Sequence, residues 1–162
     1  MKKTIYLAIL ALITLASCSK ENDFIYNEES SDLQKIINVS IFDETSKKEI
    51  TTEYLKSKWE NKILEQDGYD VELEKFEIIQ STDNDTKEIY YFLKSISKNR
   101  TIETGAFLIK IGEGQYKMGA KQCSCAGCRT GCRLTITGSN CDCSKCPPGK
   151  ACTKTETAIV GG

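Results

Sequence analysis

Between residues 33 and 42, the apolar side chains Ile37, Val39 and Ile41 alternate with polar Asn38 and Ser40, a period of two that predicts a half-buried strand. From Thr52 the period lengthens. Leu55, Trp59 and Ile63 recur every four residues, which sets them on one helical face, while Lys56, Lys58, Glu60 and Lys62 fall off that stripe. Thr51 or Thr52 offers an N-cap and Gly68 a C-terminal stop. The apolar stripe, Trp59 included, is expected to face a core.

Three strand-like runs follow, at Tyr69 to Gln80, Glu88 to Ser97 and Thr101 to Ile111, with a short continuation at Gln115 to Met118. The polar links 81–85 and 98–100 suit hairpin turns, so the runs predict an antiparallel meander. In the first run Val71 and Leu73 share one parity and Phe76 and Ile78 the other; a bulge near Lys75 reconciles them. The order predicts an α+β domain over residues 33–119, one helix packed on an antiparallel sheet. In topology this resembles the cystatin-like or nuclear-transport-factor-like layout, a likeness that implies no activity.

Composition then divides the chain. Residues 19–120 carry 14 Lys/Arg against 21 Asp/Glu, whereas residues 121–162 carry six against two. Eight of the nine cysteines lie after Gln122, where there is no Phe, Tyr or Trp. These shifts coincide, predicting a boundary near Met118 to Gln122, a small cysteine-rich loop module over residues 120–153, and a loose polar end over 154–162. No strong basic field exists, so nucleic acid is not an expected partner.

The chain has no histidine, which excludes Ser-His-Asp triads, Cys-His pairs and His-containing zinc sites. Glu72 and Glu74 have a parity opposite to Val71 and Leu73 and read, with nearby Glu77, as a solvent face. Ser95 and Ser97 stand near Lys98 with nothing to orient them. Asp83-Asn84-Asp85 offers carboxylates for calcium but lacks the Gly and distal Glu of an EF-hand loop. Nowhere do a nucleophile, a base and an orienting group come together, so no catalytic residue is assigned.

The N-terminus carries an address. Lys2 and Lys3, the apolar run Ile5 to Leu15 and small residues before Cys18 have the three parts of a secretory signal, with a run too short to span a bilayer comfortably. Leu15-Ala16-Ser17-Cys18 resembles the lipobox of bacterial lipoprotein precursors. That resemblance implies a signal peptide over 1–17, an acylated Cys18 as the mature N-terminus, a tether over 18–32 and attachment to the membrane by lipid. Ser19 after the cysteine implies outer-membrane delivery in the Gram-negative sorting pattern. Ser19-Lys20-Glu21-Asn22-Asp23 resembles the export stretch of surface-exposed lipoproteins of the Bacteroidetes, and equally suits a plain solvated tether.

The remaining cysteines form two units, Cys123, Cys125, Cys128 and Cys132, then Cys141, Cys143, Cys146 and Cys152, each opening with CxCxxC. Each unit has the ligand count of one tetrathiolate site, which suits zinc or copper, and the lack of aromatics resembles metallothionein-like stretches. The insert Leu134 to Thr137 departs from that pattern and reads as a short strand. The first gap of one residue departs from a bacterial ferredoxin pattern. Export favours the other chemistry, four disulfides that compensate for a small apolar core, with the members of each CxC bonded to different partners. Cys146-Pro147-Pro148-Gly149 through Cys152 resembles the CPPGxxC turns of small extracellular cysteine-rich modules. Eight cysteines allow 105 pairings and the spacing chooses none. The expected protein is therefore a lipid-anchored envelope protein that binds an unknown protein or surface partner and requires no cofactor. The alternative is a soft-metal lipoprotein with one thiolate site per unit.

Overall fold

The computed structural model describes residues 24–27, 39–146 and 150–158. The signal segment, Cys18, the export stretch and the first part of the predicted strand, through residue 38, lie outside the described residues.

In chain order the elements are β1 (Phe24–Asn27), β2 (Ser40–Phe42), α1 (Thr52–Asp67), β3 (Leu73–Thr82), β4 (Ile89–Ser97), β5 (Glu103–Gly112), β6 (Gln115–Ala126), β7 (Leu134–Thr137), β8 (Asn140–Cys143), β9 (Lys145–Cys146), β10 (Lys150–Ala151) and β11 (Thr153–Ala158). The helix begins where its chemistry dictates. Thr51 holds an extended backbone and its Oγ1 accepts the N–H of Tyr54 at 3.2 Å. Gly68 ends the helix in the left-handed region, φ 73°, donating its N–H to the Leu64 carbonyl at 3.1 Å.

The fold is α+β with the sheet dominant. Six strands lie in the order β1-β3-β4-β5-β6-β11, and β2 pairs with the first part of β6 along the edge that β11 continues. The meander from β3 to β6 and the β6–β11 pairing are antiparallel; β1 and β2 join in parallel, so the sheet is mixed. The bulge falls at Lys75, whose φ is 47° and where the β3–β4 register shifts between Glu74 and Phe76. The extra residue keeps Leu73, Phe76 and Ile78 all on the helix side, a face the plain period of two would have broken.

Each face of the sheet is covered. Leu55, Trp59 and Ile63 of α1 pack with Leu73, Phe76, Ile78, Leu93, Ala106, Leu108, Tyr116 and Met118, and the Trp59 and Phe76 rings are 5.6 Å apart. On the opposite face Phe92, Phe107, Cys123 and Cys125 meet a layer built from the β7–β8 hairpin and the loops around it. Burying both faces lets one sheet serve two cores.

This arrangement corrects the predicted division. Met118 to Gln122 falls inside β6, a 12-residue strand, and Thr153 to Ala158 pair along that strand from Ala126 to Lys121. The cysteine segment thus starts and ends in the main sheet, on β6 and β11, and between them packs as a layer on its face, so it is not a separate module after it, and residues 154–158 belong to an edge strand. The composition changes at Lys121 because the second core takes its aromatic rings from β4 and β5. Phe92 and Phe107 stand edge to face with centroids 5.0 Å apart under the cysteines, so the tail needs no aromatics of its own.

Candidate functional site

Alternation along β6 decides where its cysteines point. Tyr116, Met118 and Ala126 face the helix, so Cys123 and Cys125, of the other parity, face the opposite layer and are fully buried there. In β8 the same alternation puts Cys141 and Cys143 on one side and Asp142 in solvent. Two strands stacked face to face with equal spacing between thiols can be bridged twice, and they are: Cys123 bonds Cys141 and Cys125 bonds Cys143.

Beyond the strands the chain turns twice at glycine. Gly127 and Gly131 both have φ 98°, and each immediately precedes a cysteine, Cys128 and Cys132. These reversals return both thiols to the same side of the layer. Cys128 bonds Cys146 and Cys132 bonds Cys152. All eight thiols after Gln122 are therefore paired between the units, position for position, at separations of 18, 18, 18 and 20 residues. The two members of each CxC do bond to different partners. The alternative of one thiolate metal site per unit is not favoured by this pairing, since each unit's sulfurs are committed to the other unit.

The last two bridges touch. The sulfurs of Cys128, Cys132, Cys146 and Cys152 all lie within 4.8 Å of one another, and non-bonded Cys146 and Cys152 are 3.6 Å apart. Two hydroxyls reach this knot: Thr130 Oγ1 stands 3.3 Å from Cys128 Sγ, and Ser144 Oγ 3.8 Å from Cys152 Sγ. Ser144 also accepts the Arg133 N–H, and its own N–H donates to the Arg133 carbonyl, closing the end of the hairpin.

A charged cleft of about 410 Å³ borders the knot at Cys132, lined among others by Lys75, Glu77, Lys94, Arg100, Glu103 and Arg133. Glu103, nearly buried, accepts the Leu134 N–H at 2.7 Å and pairs with Lys94 at 3.0 Å. Its carboxylate thereby pins the first residue of β7 to β5. Sequence reasoning misses Glu103, Phe92 and Phe107; their parity, opposite to Leu93 and Ala106, is the signal that points to them. A second cleft of about 440 Å³ lies along the helix, where burial first and the neighbouring Lys58 charge second hold Lys62 below the ordinary lysine range. Lys62 Nζ donates to Gln122 Oε1 at 3.1 Å.

The carboxylates weighed for chemistry have other duties. Glu72 pairs with Lys56 and Lys98, and Glu77 with Lys75 at 2.8 Å. Ser97 Oγ accepts the N–H groups of Thr101 and Ile102, and Ser95 Oγ donates to the Glu74 carbonyl, so both serines close turns or ladders. Asp83 Oδ1 accepts the N–H groups of Asp85 and Thr86, which holds its turn. Cys18 lies outside the described residues. Among those residues no helix is long and apolar enough to cross a membrane. Comparison with known protein families, with characterised proteins and with solved structures finds no match to the chain.

Proposed function

We propose that this chain is a lipid-anchored cell-envelope protein, held at the outer membrane through acylated Cys18, that works by binding or structural interaction and not by catalysis. The observation that carries the reading is the closure of all eight thiols after Gln122 into four bridges, the stapling expected of an oxidising compartment. The lipobox-like LASC ending at Cys18 agrees with that address.

Strand order sets the bridges on β6 away from the anchor. β1 begins six residues after Cys18 and forms one edge of the sheet, while β6 and β11, next to the bridges, form the other. A tether of that length reaches about 20 Å, which sets the anchor by the β1 edge, while the cysteine layer's bridges on β6 lie toward the opposite edge and its β7–β8 hairpin reaches back over β3. Arg129, Arg133 and Lys145 stand exposed on that layer, which suits a partner surface with acidic groups. The cystatin-like or nuclear-transport-factor-like layout belongs to this proposal as topology alone.

The test is expression of the full chain in a Gram-negative host that processes lipoproteins. Wild type is expected in the outer-membrane fraction with an acylated N-terminal peptide, and Cys18→Ser in the soluble fraction. A wild-type chain without acyl mass overturns the anchor. An intact denatured mass equal to that of the fully reduced protein overturns the stapled layer.

A further inference from the structure

The four cysteines borne on strands β6 and β8 are not equivalent to the other four, the loop-borne set, of which Cys146 sits on the two-residue strand β9 and the rest in loops. Cys123 and Cys125 sit two residues apart on β6, and Cys141 and Cys143 two apart on β8, so pleat spacing holds their bridges apart. Among the described residues the group that gathers around them is Cys123, Cys141 and the exposed Glu156, whose carboxylate is paired with Lys154 at 2.9 Å and Lys121 at 3.4 Å. That set has three donors, one already engaged. The loop-borne set has four sulfurs, two from each unit, converging on one buried point.

A tetrahedral zinc site with bonds of about 2.3 Å needs sulfurs about 3.8 Å apart. Cys146 and Cys152 already stand 3.6 Å apart without a bond between them, and no pair in the set exceeds 4.8 Å. We infer that Cys128, Cys132, Cys146 and Cys152 form a single soft-metal site in the reduced protein, so that two disulfides and one tetrathiolate ion are alternative states of the same four sulfurs. The site draws on both units, which distinguishes it from a site within either one, and it does not depend on the lipid anchor.

The chemistry balances with a dithiol reductant. Each bridge takes two electrons and two protons from one dithiol, which closes to its own disulfide, giving four thiols in all. A divalent ion then displaces four protons and leaves a tetrathiolate complex of net charge minus two. Thr130 and Ser144 place hydroxyl donors beside two of the sulfurs, and Arg129, Arg133 and Lys145 on the same segments supply compensating positive charge. In either state the knot keeps the two units tied together.

The test is native mass spectrometry of the protein reduced with excess dithiol, desalted without oxygen and titrated with zinc(II). One zinc per chain, a mass gain of one zinc less two hydrogens, is expected for wild type and for Cys125→Ser/Cys143→Ser. None is expected for Cys146→Ser/Cys152→Ser or for Cys128→Ser/Cys132→Ser. Circular dichroism of each variant before reduction checks that the sheet is present. Cobalt(II) should give the thiolate charge-transfer absorption in wild type and in the strand-borne variant alone. Two zinc ions per chain, no zinc at all, or zinc lost equally from the strand-borne and loop-borne variants would overturn the inference.

Discussion

Gly105 of β5 lies directly beneath the ring of Phe92 on β4; a methyl group on its Cα would overlap Cε1 of that ring and the Leu93 carbonyl oxygen. The bare backbone at Gly105 is what lets Phe92 lie flat enough to floor the cysteine layer. Gly105→Ala should therefore displace the ring and cost about 1–3 kcal/mol, as overpacking of a closed core does. Trp59, the single tryptophan, sits on the opposite face of the sheet and reports from the other core. Denaturant unfolding followed by its fluorescence should show the loss in full; an unchanged midpoint would mean that the ring has room to move.

Reduction of the bridges should likewise reach the helix side. A module after the domain would loosen alone, but β6 belongs to both cores, carrying Met118 on one face and Cys123 on the other. A bridge closing a loop of this size stabilises by about 3 kcal/mol in the chain-entropy account, and four overlapping bridges by less than four times that. We expect dithiol, without added metal, to lower the unfolding midpoint read by Trp59, in a single transition. A Trp59 transition that stays put would show that the layers fold independently.

The helix is fully legible in the sequence because its signals are local. Thr51, Gly68 and the Leu55, Trp59, Ile63 stripe need no knowledge of the rest of the chain. The bulge at Lys75 is legible because a parity change inside one strand requires an extra residue to keep both halves facing the same core, and Leu134 to Thr137 is the strand its apolar alternation predicts. The length of β6 is hidden because Cys123 and Cys125 suggest thiol chemistry first, whereas in the fold they are also the buried, apolar side of an alternating strand. For β11 the signal is the β-branched series Thr153, Thr155 and Thr157, masked by charged neighbours. The pairing itself has one numerical hint, the offset of 18 residues that recurs between the first three cysteines of each unit. Sequence cannot say which set of four sulfurs converges, because that depends on turns at Gly127 and Gly131 and on a hairpin folding back over the sheet.

Glu103 carries two connections at once, to the Leu134 N–H and to Lys94. Glu103→Gln keeps an acceptor for the amide but gives up the charge, and should cost about 1 kcal/mol. Glu103→Ala leaves the Leu134 N–H without a partner in a buried position and should cost about 2–3 kcal/mol, with faster amide hydrogen exchange at Leu134. Equal costs for the two variants would show that the ion pair, and not the tie to β7, holds the hairpin down.

Two turns share one design that should make part of the stability depend on acid. Asp43 accepts the N–H groups of Thr45 and Ser46 and is followed by Lys47 at φ 53°; Asp83 accepts those of Asp85 and Thr86 and is followed by Lys87 at φ 62°. The backbone N–H groups, Ser46's foremost at Asp43 and Thr86's foremost at Asp83, hold both carboxyls below the ordinary aspartate value. A carboxyl lowered in the folded state stabilises it above the unfolded-state pKa, and that contribution fades as pH falls through the folded-state value. The double variant Asp43→Asn/Asp83→Asn keeps an oxygen for the amides but has no charge to lose. It should be less stable than wild type at neutral pH, and the gap should close as pH falls below the ordinary aspartate value of about 3.9, vanishing once both wild-type carboxyls are protonated. Stability measured by denaturant titration at a series of pH values from 7 downward tests this. A gap that persists undiminished at the acid end would assign the loss to turn packing in place of charge.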